Sequence, residues 1–154
     1  MSSDLWSFSL ALYAQPGIEQ ACLQLQSTGS NVCLLLCAAW LGQQGISCDE
    51  QRLQQLHDTT RPWDAEVVRP LRALRMQWKT AAAQDSGLQK LREQVKTLEQ
   101  EAERQLLLRL ECVAKGWPRH EASDLLAWLE GMVAGSGHLD RDALHQLHVA
   151  VTGS

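Results

Sequence analysis

Tyrosine and phenylalanine are nearly absent from this chain of 154 residues, one of each. Aromatic and β-branched residues are what strands favour, and no window alternates apolar and polar residues over strand length. A sheet is therefore excluded. Long hydrophobic runs are missing too: the longest, Val32 to Leu41, is about half of the roughly 20 residues that span a bilayer. It predicts a buried core helix and no membrane association. There is no basic excess, and the formal charge of −4 excludes general affinity for nucleic acid, which needs clustered positive charge to neutralise phosphates. The opening MSSDLWSFSLALYAQ lacks a basic n-region and carries Asp4, so it does not read as a secretory signal. Together with an odd number of cysteines, five, this predicts reduced thiols in a cytoplasmic setting. No repeat, low-complexity tract or linker divides the chain, and its length suits one domain.

What is present favours helix. Leu, Ala, Gln, Glu and Arg dominate, which predicts an all-α, single-domain bundle of about seven or eight helices. Six tryptophans suit the role of large core wedges whose indole N–H finds a partner at the rim. A first helix is expected from Asp4 to about Gln15, and a short second one starts at Pro16 and carries Ile18, Cys22 and Leu25. Ser30 or Asn31 caps a third, apolar almost all round and central, closed by Gly45. Ser47-Cys48-Asp49-Glu50 matches a capping box, with Ser47 as cap, for a surface helix with a thin edge of Leu53 and Leu56.

Thr60 and Pro62 then read as the start of a new helix in which Val67, Leu71, Leu74, Trp78 and Ala81 or Ala82 form a heptad seam, with a kink or restart at Pro70. After a turn at 84–87, Leu88, Leu91, Val95, Leu98 and Ala102 form a second seam. A short polar connection makes the two arms antiparallel neighbours, giving a hairpin over residues 62–104 with Leu74 near Val95 and Leu71 near Leu98. Beyond Ala102 the apolar residues leave heptad register, and the helix from Ser86 to Lys115 would run about 45 Å into the core. Arg69, Arg72, Arg75 and Lys79 lie on one flank of the first arm, facing Glu93, Glu99, Glu101 and Glu103 of the second, and read as a solvated, partly paired edge. A helix from about Pro118 to Ala134 and a last one from about Asp140 to Val151 complete the chain.

Trp6-Ser7-Phe8-Ser9, Leu12-Tyr13, Pro16-Gly17, Cys22-Leu23, Leu25-Gln26, Asn31-Val32, Leu34-Leu35-Leu36 and Trp40-Leu41, continued by Val68-Arg69-Pro70-Leu71-Arg72, resemble the signature of a proteobacterial family of short all-helical proteins classed as a domain of unknown function. The resemblance implies a bacterial cytoplasmic protein with one all-helical domain. It implies no activity, cofactor or site residue.

Sites of chemistry are sparse. Cys33 and Cys37 share a face of the apolar third helix, where free cysteine acts as a small core hydrophobe. His145 and His148 share a face of the last helix, with His138, Asp140 and Asp142 before it and His120-Glu121 elsewhere, but no H-E-x-x-H pattern accompanies them. Gly135-Ser136-Gly137 follows a helix rather than a strand, so it has the context of neither a nucleophile elbow nor a phosphate loop. Asp64 and Glu66 read as first-turn acids beside Trp63. Trp6, Ser9, Tyr13 and Asn31 are polar or half-polar groups close to the apolar third helix and could line a pocket between the first and third helices.

These features predict a non-enzymatic, cytosolic protein-interaction or regulatory module that binds a protein partner through the hairpin, with Arg69, Arg72, Arg75 and Lys79 in contact. The alternative is a small-molecule-binding bundle, or an unrecognised enzyme, using the pocket of Trp6, Ser9, Tyr13 and Asn31. Self-association through the same seam is a further expectation. No cofactor is implied.

Overall fold

Nine consecutive residues, Cys33 to Leu41, are all buried, and the other helices are arranged around them. The computed structural model describes residues 4–27, 29–119, 124–133 and 141–153. Helix α3 (Val32–Gln43) is the axis. Asn31 caps it, its side chain accepting from the Leu34 amide, and Gly45 closes it at φ 73°, where a Cβ would be strained. On one side lie α1 (Leu5–Tyr13), capped by Asp4, and α2 (Ile18–Ser27). Helix α8 (Leu125–Val133) packs along α3, and α9 (Arg141–Thr152) packs on both α2 and α3. Helix α2 begins two residues after Pro16, which sits in the preceding turn rather than at a first helical position. Helix α8 occupies the end of the predicted 118–134 span, Trp117–Arg119 being non-helical, and Leu126 is exposed.

Leu5, Phe8 and Leu12 from α1, Leu129 and Met132 from α8, and Leu144 and Leu147 from α9 close on α3. Each such side chain contributes about 1.5–3 kcal/mol by leaving water. Trp128 is fully buried, stacks on Trp117 and donates its indole N–H to the Ile46 carbonyl at 2.7 Å. This is the wedge-with-a-partner arrangement its composition predicts. Helices α3 and α8 approach so closely that a Cβ on Gly42 would lie 2.6–2.8 Å from Leu125 atoms.

The largest departure from the sequence reading lies between Glu50 and Gln77. No break occurs at Thr60 or Pro62: α4 (Glu50–Trp63) runs through Pro62, continues as a π turn over Asp64–Val68, and goes on as α5 (Arg69–Gln77). Asp49, not Ser47, caps α4 by accepting from the Arg52 amide. Thr60 caps nothing and turns its hydroxyl back to the Leu56 carbonyl. The wider π turn, where the Arg69 amide reaches Asp64, accommodates Pro70 at the start of α5 without a kinked restart. Asp64 and Glu66 are consequently mid-helix and not first-turn acids. Counting Glu50–Gln77 as one helix, and including the short α6 (Lys79–Ala82), eight helices stand among the described residues.

The antiparallel hairpin is present, with α5 and α6 packed along α7 (Ser86–Ala114), whose 29 residues match the predicted span to within one residue. Its seam is not the predicted one. On the first arm Val68, Arg72 and Arg75 turn inward, each one later than Val67, Leu71 and Leu74, while Ala82, one of the two positions expected there, is buried and Trp78 is half-buried. A π turn holds one extra residue, which rotates the positions that follow it relative to α4. On α7 the buried stripe is Val95, Glu99, Ala102, Leu106 and Leu110, while Leu91 and Leu98 are exposed, as is Leu74 on the opposite arm. Helix α7 is one unbroken element, and its rotation is set by Leu106, Leu107 and Leu110 in the core. At about 100° per residue, the line through Leu106 and Leu110 leads back to Glu99 and leaves Leu98 off to the side. Among the described residues no helix is long and apolar enough to cross a membrane.

Candidate functional site

The displaced seam creates a polar centre inside the hairpin. Glu99 is 5% exposed. Arg72 donates Nε to it at 3.0 Å, and Arg75 donates Nε and Nη2 at 2.5 and 3.3 Å. Burial alone would raise the Glu99 carboxyl, but hydrogen bonds from Arg75 and Arg72 and their charges outweigh it and hold it below the usual range. The same hydrogen bond strengthens the hold of Arg75 on its proton. Arg92 completes the centre, donating Nε to the Arg75 carbonyl at 2.8 Å.

This centre forms one wall of a cleft of about 600 Å³, the opposite wall being α1 and the start of α3. Trp6, Ser9 and Tyr13 face Arg72, Arg75 and Glu99 across it. A smaller cavity of about 310 Å³, bordered by Ser30, Asn31, Asp64 and Arg69, adjoins it. Gln26, Val32, Cys33, Arg72 and Glu103 border both. Cys33 ties the two helices together below, its Sγ donating to the Glu103 carbonyl at 3.7 Å. Glu103 is half-buried, and burial, more than any neighbour, raises its carboxyl above the ordinary value, with the charge of Arg72 opposing the rise. Tyr13 is pushed up to about 12 by burial and by Cys22 and Glu19 nearby. The Ser9 and Ser30 hydroxyls are buried and have no hydrogen-bond partner among the described residues.

The structure thus joins residues that the sequence reading assigned to rival hypotheses. Arg72 and Arg75 belong to the cleft with Trp6, Ser9 and Tyr13; Arg69 borders the neighbouring cavity, where it pairs with the buried Asp64 at 2.7 Å. Lys79 is exposed on α6 and borders neither. Asn31 belongs to the smaller cavity, its side chain engaged as a helix cap. Sequence reasoning missed Glu99, Glu103 and Ser30 as site residues. The signal for Glu99 was its alignment with Leu106 and Leu110; nothing in the pattern singles out Ser30.

Other candidates take their places elsewhere. Cys22, Cys33 and Cys37 are buried in the core, where burial pushes the Cys22 thiol up to about 12 and raises the other two further. Thiols so held are not nucleophiles. His145 is exposed and His148 half-buried on α9. His120, Glu121, Gly135, Ser136, Gly137, His138 and Asp140 lie outside the described residues.

Residues 4–110 match the family described as "Protein of unknown function (DUF2390)". The chain belongs to this family. No curated protein and no solved structure matches it. Every residue bordering the DUF2390 cleft lies inside the matched segment, whereas α8 and α9 lie beyond it.

Proposed function

We propose that this DUF2390 member is a non-enzymatic binding protein that takes a small molecule in the cleft between α1 and the α5–α7 hairpin. The observation that carries the reading is the Ser9 hydroxyl, 3% exposed and without a partner, bordering a cleft walled by Arg72. A buried hydroxyl without a hydrogen bond costs about 1–3 kcal/mol, a cost that a ligand acceptor or donor would remove. The volume lies inside the range of about 300–1,000 Å³ typical of small-molecule sites. Arg72, Arg75 and Glu99 are tied in one ion-pair centre, and burial raises the Tyr13 hydroxyl and the Cys33 thiol, which suits binding better than nucleophilic or general-base chemistry.

The test is a thermal-shift screen of chemically diverse compounds on the wild-type chain and on Gln26→Trp, which fills the cleft from a half-buried position on its rim. Compounds at about 100 times their Kd add about 2.7 kcal/mol to the folded state, equivalent to roughly 5–10 °C for a domain of this size. The stabilisation is expected in wild type and absent in the variant. Equal stabilisation of both proteins rejects the cleft.

A second reading, docking of a partner protein on the hairpin, is favoured by the exposure of Leu91 and Leu98, two turns apart on the flank of α7 turned away from the cleft. Replacing both by Glu should abolish capture of such a partner, and light scattering of the wild-type chain shows whether the partner is a second copy. The bacterial cytoplasm is the setting proposed for either role.

A further inference from the structure

We propose that the occupant of the cleft is an amphipathic monocarboxylate, its head on the outer edge of Arg72 and its apolar body along α1 and α2. The inference rests on the cleft reading above and narrows it to a ligand class. Two guanidiniums, Arg72 and Arg75, meet the one carboxylate of Glu99. Arg75 spends two of its nitrogens on Glu99; Arg72 spends only Nε. The Nη1 and Nη2 groups of Arg72 make no hydrogen bond among the described residues, although its side chain is only 25% exposed. Two parallel N–H donors on a guanidinium are the geometry that takes a carboxylate bidentately. That edge stands where the two cavities meet.

The remaining groups fix the rest of the ligand. Ser9 borders the same cleft, and its buried hydroxyl has no partner among the described residues. Glu103 borders the same junction, and burial raises its carboxyl, the direction that lessens its charge beside an anion. A doubly charged head is disfavoured, since Glu99 lies against Arg72 and Glu103 borders the same junction. Leu10 and Leu23 on α1 and α2 are 54% and 48% exposed and border the cleft, with Trp6, Leu36 and Leu107 beyond them. Large apolar groups left wet beside a charged end are accounted for by a ligand with an apolar body.

Calorimetric titration of the whole chain with decanoate, decylammonium, decyl phosphate and decanol, each below its aggregation concentration, tests the assignment. Decanoate is expected to bind most tightly. Arg72→Gln should weaken decanoate about tenfold to a hundredfold, the effect of removing a hydrogen bond to a charged group, and Ser9→Ala several-fold. Leu23→Glu, a change at an exposed position that leaves the ion-pair centre intact, should weaken decanoate but not decylammonium; Lys79→Gln, outside the cleft, should change nothing. Decylammonium, decyl phosphate or decanol binding more tightly than decanoate, and lost in Gln26→Trp, overturns the carboxylate while the cleft stands. No binding by any of the four, or decanoate binding indifferent to Gln26→Trp and Leu23→Glu, overturns the carboxylate proposal; the compound screen then decides the cleft by itself.

Discussion

Glu99 and Glu103 sit one turn apart on α7, and their surroundings push them in opposite directions. Glu99 is held ionised by two guanidiniums, so it stabilises the fold above its ordinary value near 4.5, and that contribution disappears as pH falls through its lowered value. Glu103 is raised by burial, so its ionisation costs stability as pH climbs from 4.5 through the raised value. Two urea-denaturation series over pH 3–8 check this. Glu99→Gln should be less stable than wild type at neutral pH, with the difference closing in acid. Glu103→Gln should be more stable than wild type at neutral pH, again converging in acid. Glu99→Ala should cost about 1–3 kcal/mol at pH 7, below the 3–5 of a fully buried pair, because both arginines retain some exposure and can turn to water. None of this polarity follows from charge pattern alone: Arg72, Arg75 and Glu99 read as solvated edge groups until the rotation of both arms is known.

At the scale of elements, some ends were legible and the inward faces of the hairpin were not. Asn31 caps α3 where its side chain predicts, since a cap is a contact within one turn of chain, and α1 and α7 start next to Asp4 and Asp85, whereas the caps read at Ser47 and Thr60 are absent. The inward faces of α5 and α7 depend on distant constraints, a π turn upstream and a leucine cluster downstream, so the local heptads of Leu74, Leu91 and Leu98 misled. If the π turn is one residue inserted into a helix, deleting the exposed Ala65 should convert it to regular α-helix and keep Val68, Arg72 and Arg75 facing inward. Pro70 would then clash with the Glu66 carbonyl at a cost of about 3 kcal/mol, and Pro70→Ala in the deletion background should recover most of it. Thermal denaturation of the four proteins in that cycle reads the coupling; additive effects would reject the account. The α3–α8 contact gives a second comparison. A Cβ at Gly42 would meet the Leu125 backbone at 2.7 Å, whereas one at Gly131 meets only side-chain carbons of Leu53. Gly42→Ala should therefore cost about 1–3 kcal/mol and Gly131→Ala less, by chemical denaturation.

For the whole molecule, the all-helical class, the central position of α3 and the long hairpin were readable from composition and periodicity, because burial of an apolar helix is a property of the chain itself. The cleft was not, being a gap between α1 and α7, which are far apart in sequence and meet only at tertiary contacts such as the Leu5 amide on Glu111 at 3.0 Å. Truncating Leu110, fully buried under α3, should cost about 2–5 kcal/mol as Leu110→Ala, measured by calorimetric unfolding. Helix α7 is unbroken from Ser86 to Ala114, with its far half planted among the leucines and its near half carrying Glu99. It therefore works as a lever with a fixed heel. Loosening the heel lets the whole rod roll, and a roll of a few degrees carries the carboxylate away from both arginines at once, so damage beneath α3 should be felt as lost affinity in a cleft it never touches.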